Sequence, residues 1–278
     1  MSFARIKSLI IVILLLFNLF FLAVIVIDSF ADARSERQAV ANACTVLTHR
    51  GISIDPESVK TAGSIKTMRT ARDLNAEALI AGVVLGDTVI SDRGAIYSYE
   101  SEGRGVAEFS SGGKFEIHLS DGVVTITGSA EKTVQKLLRS MKIETSELKS
   151  SYIQGGEMLT AFCAYKGVSI FNCTIGFTFV GDDLKSIDGM YVTGIETAED
   201  GADVSTAGTI LLGFLASVLK GDLECSAISY VEAGYQSYVA GPFGDGFIAP
   251  AWMIVTDTGR YIIDDASGEI LIRQLLDD

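Results

Sequence analysis

Proline and tryptophan are nearly absent from this 278-residue chain, which has three prolines and a single tryptophan, Trp252. Scarce proline excludes a proline-rich stalk or linker and leaves room for uninterrupted strands. Only two histidines occur, His49 and His118, too far apart in sequence to offer a zinc-ligand spacing. The four cysteines, Cys44, Cys163, Cys173 and Cys225, contain no CxxC pair and no dense framework. That excludes a disulfide scaffold, although an even count in an exported chain permits bridges. Their apolar flanks suit buried free thiols. Cations are outnumbered, 22 Lys and Arg against 35 Asp and Glu, for a net charge of −13. Such a balance argues against nucleic-acid binding and against docking on anionic lipid. Neither G-x-S-x-G nor H-E-x-x-H is present, and the sequence gives no positive sign of an enzyme, metal site or cofactor.

What is present begins with an apolar run, Ser8 to Ile27, free of charge and interrupted only by Asn18. A helix rises about 1.5 Å per residue, so a run of this length crosses the ~30 Å hydrocarbon core of a bilayer. Arg5 and Lys7 precede it and Asp28 and Asp32 follow, which predicts a cytoplasmic head (1–7), a transmembrane helix (8–27) and an extracytoplasmic remainder. The competing reading is a cleaved signal peptide, with Ala31-Asp32-Ala33 as its site. The run is longer than a secretory core, which favours a retained anchor in the cell membrane. Asn18 reads either as an amide satisfied by its own backbone or as a contact to another membrane helix.

Beyond the anchor the patterning is α+β: a transmembrane helix followed by two antiparallel-sheet-plus-helix modules, 28–144 and 157–278. Val40, Cys44 and Leu47 recur at helical spacing between Arg34 and His49-Arg50-Gly51. Asp73 caps a second helix to about Leu85, with Ala76, Leu79, Ile80 and Val83 inward. From Ala95 to Thr127 the chain reads as an antiparallel meander. Phe115, Ile117 and Leu119 alternate, Val124 and Ile126 alternate, and Gly112-Gly113 and Asp121-Gly122 mark turns. Ser129 caps a helix striped by Val134, Leu137, Leu138 and Met141. Thr145 to Gly156, polar and ending in two glycines, reads as the boundary between modules. Strands then follow at Met158–Tyr165, Val168–Val180 and Leu184–Ile195. Asp203 caps a helix through Val204, Ala207, Leu211, Leu215 and Val218, and strands near Cys225–Val239, Ala249–Thr256 and Arg260–Ile263 close the chain.

Four stretches invite a chemical reading. Asp257-Thr258-Gly259 matches the short aspartic-protease signature but has no second copy, so a hairpin turn is favoured. Gly241-Pro242-Phe243-Gly244-Asp245-Gly246 is followed by a strand, not a helix, so a loop is favoured over a phosphate cradle. Asp264-Asp265-Ala266-Ser267-Gly268-Glu269 lacks the alternation of a calcium loop. The sequon Asn172-Cys173-Thr174 falls inside an expected strand. A ligand cleft lined by Tyr235, Tyr238 and Phe243 would favour a module that binds a peptide or wall fragment, or inhibits a protease.

Three segments carry a family resemblance. The head Met1-Ser-Phe-Ala-Arg-Ile-Lys-Ser-Leu-Ile-Ile running into Leu16-Phe17-Asn18-Leu19-Phe20-Phe21 resembles the YycI regulatory proteins of Gram-positive bacteria. So do Glu232-Ala233-Gly234-Tyr235 and the ending Pro250-Ala251-Trp252 with Tyr261-Ile262-Ile263-Asp264 and Ser267-Gly268-Glu269. This ending also looks like YycH and, more loosely, PepSY-type domains. The resemblance implies a single-pass protein that associates with a membrane sensor histidine kinase, and with a homologous regulatory protein, in cell-wall control. Phe17, Asn18, Phe20 and Phe21 are then the candidates for helix pairing. The family supplies no catalytic residue, and Gly234, Tyr235, Pro250 and Trp252 read as strand-shaping and core-filling residues.

Overall fold

Local alternation builds most of this molecule, and the strands it builds sort into two sheets. The computed structural model describes residues 14, 15, 17, 18, 34–60, 65–153, 155–196, 204–239 and 245–275. Helix α1 covers residues 34–49 and is followed by two short strands, β1 (Ser53–Ile54) and β2 (Val59–Lys60), and by β3 (Met68–Thr70). After α2 (Leu74–Leu85) come β4 (Val89–Asp92), β5 (Ile96–Ser101), β6 (Gly105–Ser110) and β7 (Lys114–Leu119). Helix α3 (Ala130–Ser140) leads to β8 (Thr145–Ile153), β9 (Gly156–Tyr165), β10 (Val168–Val180), β11 (Asp183–Met190) and β12 (Ile195–Glu196). Helix α4 (Ala207–Lys220) precedes β13 (Ala227–Val239), β14 (Gly246–Thr256), β15 (Gly259–Asp264) and β16 (Ile270–Leu275).

One sheet is wholly antiparallel, in the order β8-β9-β10-β11-β7-β6-β5-β4. Helices α2 and α3 cover one of its faces. In the other sheet β13 pairs antiparallel with β14 on one side and parallel with β1 and β2 on the other. β15 and β16 extend from β14, and β3 with β12 flanks its start. Here α1 and α4 form the cover, meeting where Gly208 faces the Ala39 carbonyl. The architecture is α+β, as the patterning implies.

The inward faces of α1 and α3 fall where their spacing puts them: Val40, Cys44, Leu47, Val134, Leu138 and Met141 are buried. Helix α2 differs. Its buried residues are Glu77, Ile80, Ala81, Val84 and Leu85, while Leu79 is exposed. Apolar residues lie on every side of this helix and carry little directional signal, and the ion pair between Arg72 and Glu77 lies on its buried face. Three further expectations change. Thr145 to Gly156 is not a linker but β8 and a hairpin turn, and β11 pairs with β7 across that position. An exposed edge strand has the same polar composition as a linker. Val124 and Ile126 form no strand; Thr125 makes a single bridge to Asp183. Helix α4 is capped by Thr206, whose hydroxyl accepts from Thr209 N; Asp203 lies outside the described residues.

The run 8–27 also lies outside them, apart from Leu14, Leu15, Phe17 and Asn18, which are helical and exposed. Phe20 and Phe21 are among those not described. Among the described residues no helix is long and apolar enough to cross a membrane.

The two sheets meet at a seam on β10. Its pairing with β9 shifts register between Ser169 and Thr174, so residues 170–173 leave the ladder as a bulge. Bulges bend a strand and re-aim its side chains. Here Ile170 bridges Tyr235, and the Asn172 amide donates to Ser237 O and accepts from Ser237 N, both at 2.9 Å. Phe171 lies over Gly234, where an added Cβ would sit 2.5 Å from Phe171 Cζ and 2.7 Å from Ser169 O. Gly234 is thus a close-approach glycine in mid-strand, not a strand end. Replacing Gly234 with Ala overpacks the seam and is expected to cost about 1–3 kcal/mol, read as a lower urea midpoint. An unchanged midpoint would mean that the sheets do not touch there.

Candidate functional site

The helix-free faces of the two sheets meet at an angle along the seam and enclose a groove of about 560 Å³. β8 contributes Ser146, Glu147 and Lys149, and β9 contributes Phe162. Phe171 of β10 also lines it. Across the groove stand Tyr230 and Glu232 of β13, Met253 and Val255 of β14, Arg260 of β15 and Lys60 of β2. Each is placed by strand alternation: Val231 and Ile254 turn into the core, so Tyr230, Glu232, Met253 and Val255 turn out.

Cations sit on aromatic rings in this groove. Lys149 Nζ lies 5.1 Å from the Phe162 centroid and Arg260 Cζ 5.9 Å from the same ring. Lys60 Nζ lies 5.1 Å from the Tyr230 centroid. Cation–ring contacts of this kind are worth about 0.5–1 kcal/mol at exposed sites. The Tyr230 hydroxyl, and less strongly Glu232, holds the Lys60 ammonium above its ordinary pKa. Lys149 pairs with Glu147 at 3.2 Å, both half exposed. Arg260 makes no ion pair among the described residues. Three cations face two carboxylates here, on a chain whose overall balance is 22 to 35.

A second, more open hollow of about 700 Å³ lies further along the same face of the antiparallel sheet and carries the opposite charge. Glu108, Glu116 and Asp188 occupy directly opposed positions on β6, β7 and β11. Burial, and then the Glu116 charge, raises the Asp188 carboxyl pKa, with His118 opposing. Among the described residues no group of three or more His, Cys, Asp or Glu is placed to hold a metal ion.

The sequence-predicted stretches resolve into structural roles. The Asp257 carboxylate accepts from Ser226 Oγ at 2.6 Å and from the Ser226 and Ala227 amides. These bonds, the Ser226 hydroxyl first, lower its pKa. It stabilises the hairpin turn between β14 and β15. Asp264 accepts from Ser267 N and Oγ, both 2.8 Å, and from the Tyr238 hydroxyl at 3.1 Å. Burial pushes its pKa up, but these donors outweigh it and the net direction is down. Asp265 takes the Trp252 indole N–H at 2.9 Å and the Ser205 amide. Both carboxylates are therefore committed within the fold. Tyr235 is buried, Tyr238 stacks on Phe247 at 4.9 Å, and Phe243 lies outside the described residues, so no cleft of those three is described. Lys60, Lys149, Phe162 and Arg260 carry no mutual spacing in sequence; only outward alternation marks Phe162 and Arg260.

All four cysteines are free, three buried and Cys225 half-buried. Burial raises every thiol pKa, Cys173 to about 12 and Cys225 to about 11. Because the thiolate is the reactive form, native protein at pH 8 should label slowly and at Cys225 alone. Its rate should rise about tenfold per pH unit, and all four thiols should titrate in denaturant. Fewer than four thiols after denaturation would reveal a bridge.

No protein family matches the sequence, and none of the curated proteins does. Among solved structures, one similar chain is an uncharacterized protein from Eubacterium rectale ATCC 33656. It is 11% identical, with 78% of this chain and 88% of that chain covered and a TM-score of 0.48. Another is the Bacillus megaterium YpeB C-terminal domain, 10% identical, with 76% and 100% covered and a TM-score of 0.38. Both scores lie below 0.5, and neither protein lends this chain a function. The resemblance to YycI and YycH finds no family match behind it.

Proposed function

We propose that this protein is a membrane-tethered, non-catalytic binding module that regulates a sensor histidine kinase in envelope control. The groove at the sheet seam carries the reading. It combines cations, aromatic faces and hydroxyls, the furnishing of a recognition site. The tether rests on the run Ser8–Ile27 with its basic head. Within it Leu14, Leu15 and Phe17, spread around a helix, are each 57% exposed. A helix apolar on every side is what a bilayer accepts. The kinase, and a homologous regulatory protein beside it, rest on the YycI-like and YycH-like segments. A module that binds a peptide or wall fragment without a kinase is the second reading, and the same groove favours it.

A lone helix pairs laterally through packing and one amide, here Asn18. A few kcal/mol of differential contact is enough to bias a two-state sensor. Purification of the full chain from native membranes in mild detergent should bring a histidine kinase with it. Exchange of residues 8–27 for an unrelated span should lose that kinase. Unchanged kinase output after the exchange contradicts helix pairing, and mature protein free in the medium beginning near Arg34 contradicts the tether.

A further inference from the structure

We propose that the groove takes an extended peptide segment bearing a carboxylate side chain, added as a strand along the open edge of β8; this rests on the binding-module reading above.

Three observations converge on that occupant. First, β8 is nine residues long, contains no proline and, among the described residues, pairs only with β9. Its outer edge therefore presents unpaired amides and carbonyls, the template used in strand addition. Antiparallel pairing of this kind recognises a peptide backbone and gives nothing to a sugar or phosphate chain. Second, residues of β8 line the groove, so a strand laid beside it drops alternate side chains into the space between the sheets. Third, the groove holds the charge a carboxylate needs. Arg260 is stacked near Phe162 and makes no ion pair among the described residues, so its fork of donors is open for bidentate contact. Lys149 is held only by a half-exposed partner, Glu147, which an incoming carboxylate can replace. Phe162, Phe171 and Met253 supply apolar surface for the neighbouring side chain on the same face of the strand. A net cationic groove also steers acidic segments toward it.

The test is fluorescence anisotropy with the full chain in detergent micelles and a labelled peptide of alternating Glu and Val. Four comparisons are needed: the Gln/Val peptide, a backbone N-methylated Glu/Val peptide, inorganic polyphosphate as competitor, and the Arg260→Glu and Lys149→Glu variants. Far-ultraviolet circular dichroism checks that both variants fold, and Arg260→Gln replaces Arg260→Glu if it does not. The proposal expects saturable binding, with loss of about tenfold or more on Glu-to-Gln change, on N-methylation and in each variant. Equal binding of the Gln peptide or of either charge-reversed variant overturns the carboxylate assignment. Equal binding of the N-methylated peptide, or displacement by polyphosphate at a lower concentration of charge than the unlabelled Glu/Val peptide needs, overturns strand addition. If no peptide binds, the inference fails alone, provided a kinase still co-purifies; if the kinase is also absent, the underlying reading fails with it.

Discussion

Replacing Glu77 with Ala is expected to lower stability by about 3–5 kcal/mol, the cost of stranding a buried charge. Arg72 Nε lies 2.7 Å from Glu77 Oε1 and Nη2 lies 3.0 Å from Oε2, with side-chain exposures of 12% and 6%. The guanidinium also donates to Phe109 O at 2.8 Å and Ala95 O at 3.2 Å and covers the Tyr97 ring at 4.7 Å. It therefore ties the first turn of α2 to β5 and β6. With the carboxylate gone, a fully ionised group remains in a site with too little water to solvate it. The pair as a whole is worth less than its rupture costs, because two charges were desolvated to make it. Exchanging both residues for Met should accordingly be far milder than losing either one. Urea unfolding should show the Glu77→Ala midpoint falling sharply at unchanged m-value. A loss below about 1 kcal/mol would place the pair among ordinary surface salt bridges and contradict its burial.

The second large effect is expected at Trp252, where change to Ala should cost about 3–5 kcal/mol. The ring is 1% exposed and packs between the sheet and its helical cover. Its indole N–H donates to Asp265 Oδ1 at 2.9 Å, and the same carboxylate accepts from Ser205 N at 3.0 and 3.1 Å. Ser205 stands just before the Thr206 cap of α4. One side chain thus fills the core and fixes where α4 begins. Trp252→Phe keeps most of the apolar burial but loses the donor, so its cost should fall between wild type and Ala. Because Trp252 is the only tryptophan, circular dichroism must report the unfolding. Equal losses for Phe and Ala would show that packing contributes little and the hydrogen bond nearly all.

Much of this fold is local in origin and so legible in the sequence. Alternation at Phe115, Ile117 and Leu119 marks β7, and the helical spacing of Val40, Cys44 and Leu47 gives the buried face of α1. What stays hidden is non-local. Nothing in Ser53–Ile54 or Val59–Lys60 announces parallel pairing with β13, a partner far along the chain. The bulge that frees residues 170–173 comes from competition between β9 and β13 for β10, which no local window contains. The rotation of α2 is not legible, because apolar residues surround it and its buried face carries the pairing of Arg72 with Glu77. Composition misplaced β8, since a polar edge strand and a linker look alike. The groove was invisible for the same reason as the seam: Lys60, Lys149, Phe162 and Arg260 come from four strands brought together only by that crossing. The structural roles of Trp252 and the acidic turns, by contrast, are legible, because Asp and Gly make turns and Trp fills cores irrespective of distant partners.

Site-specific photo-crosslinking in intact cells tests the central claim most directly. The full chain would carry a benzophenone side chain at position 162 in the groove or, as control, at position 131 on the exposed side of α3. A cross-link formed at 162, absent at 131 and lost when Arg260 is changed to Glu is the predicted result. Equal cross-linking from both positions, or from 131 alone, would contradict a groove-centred function.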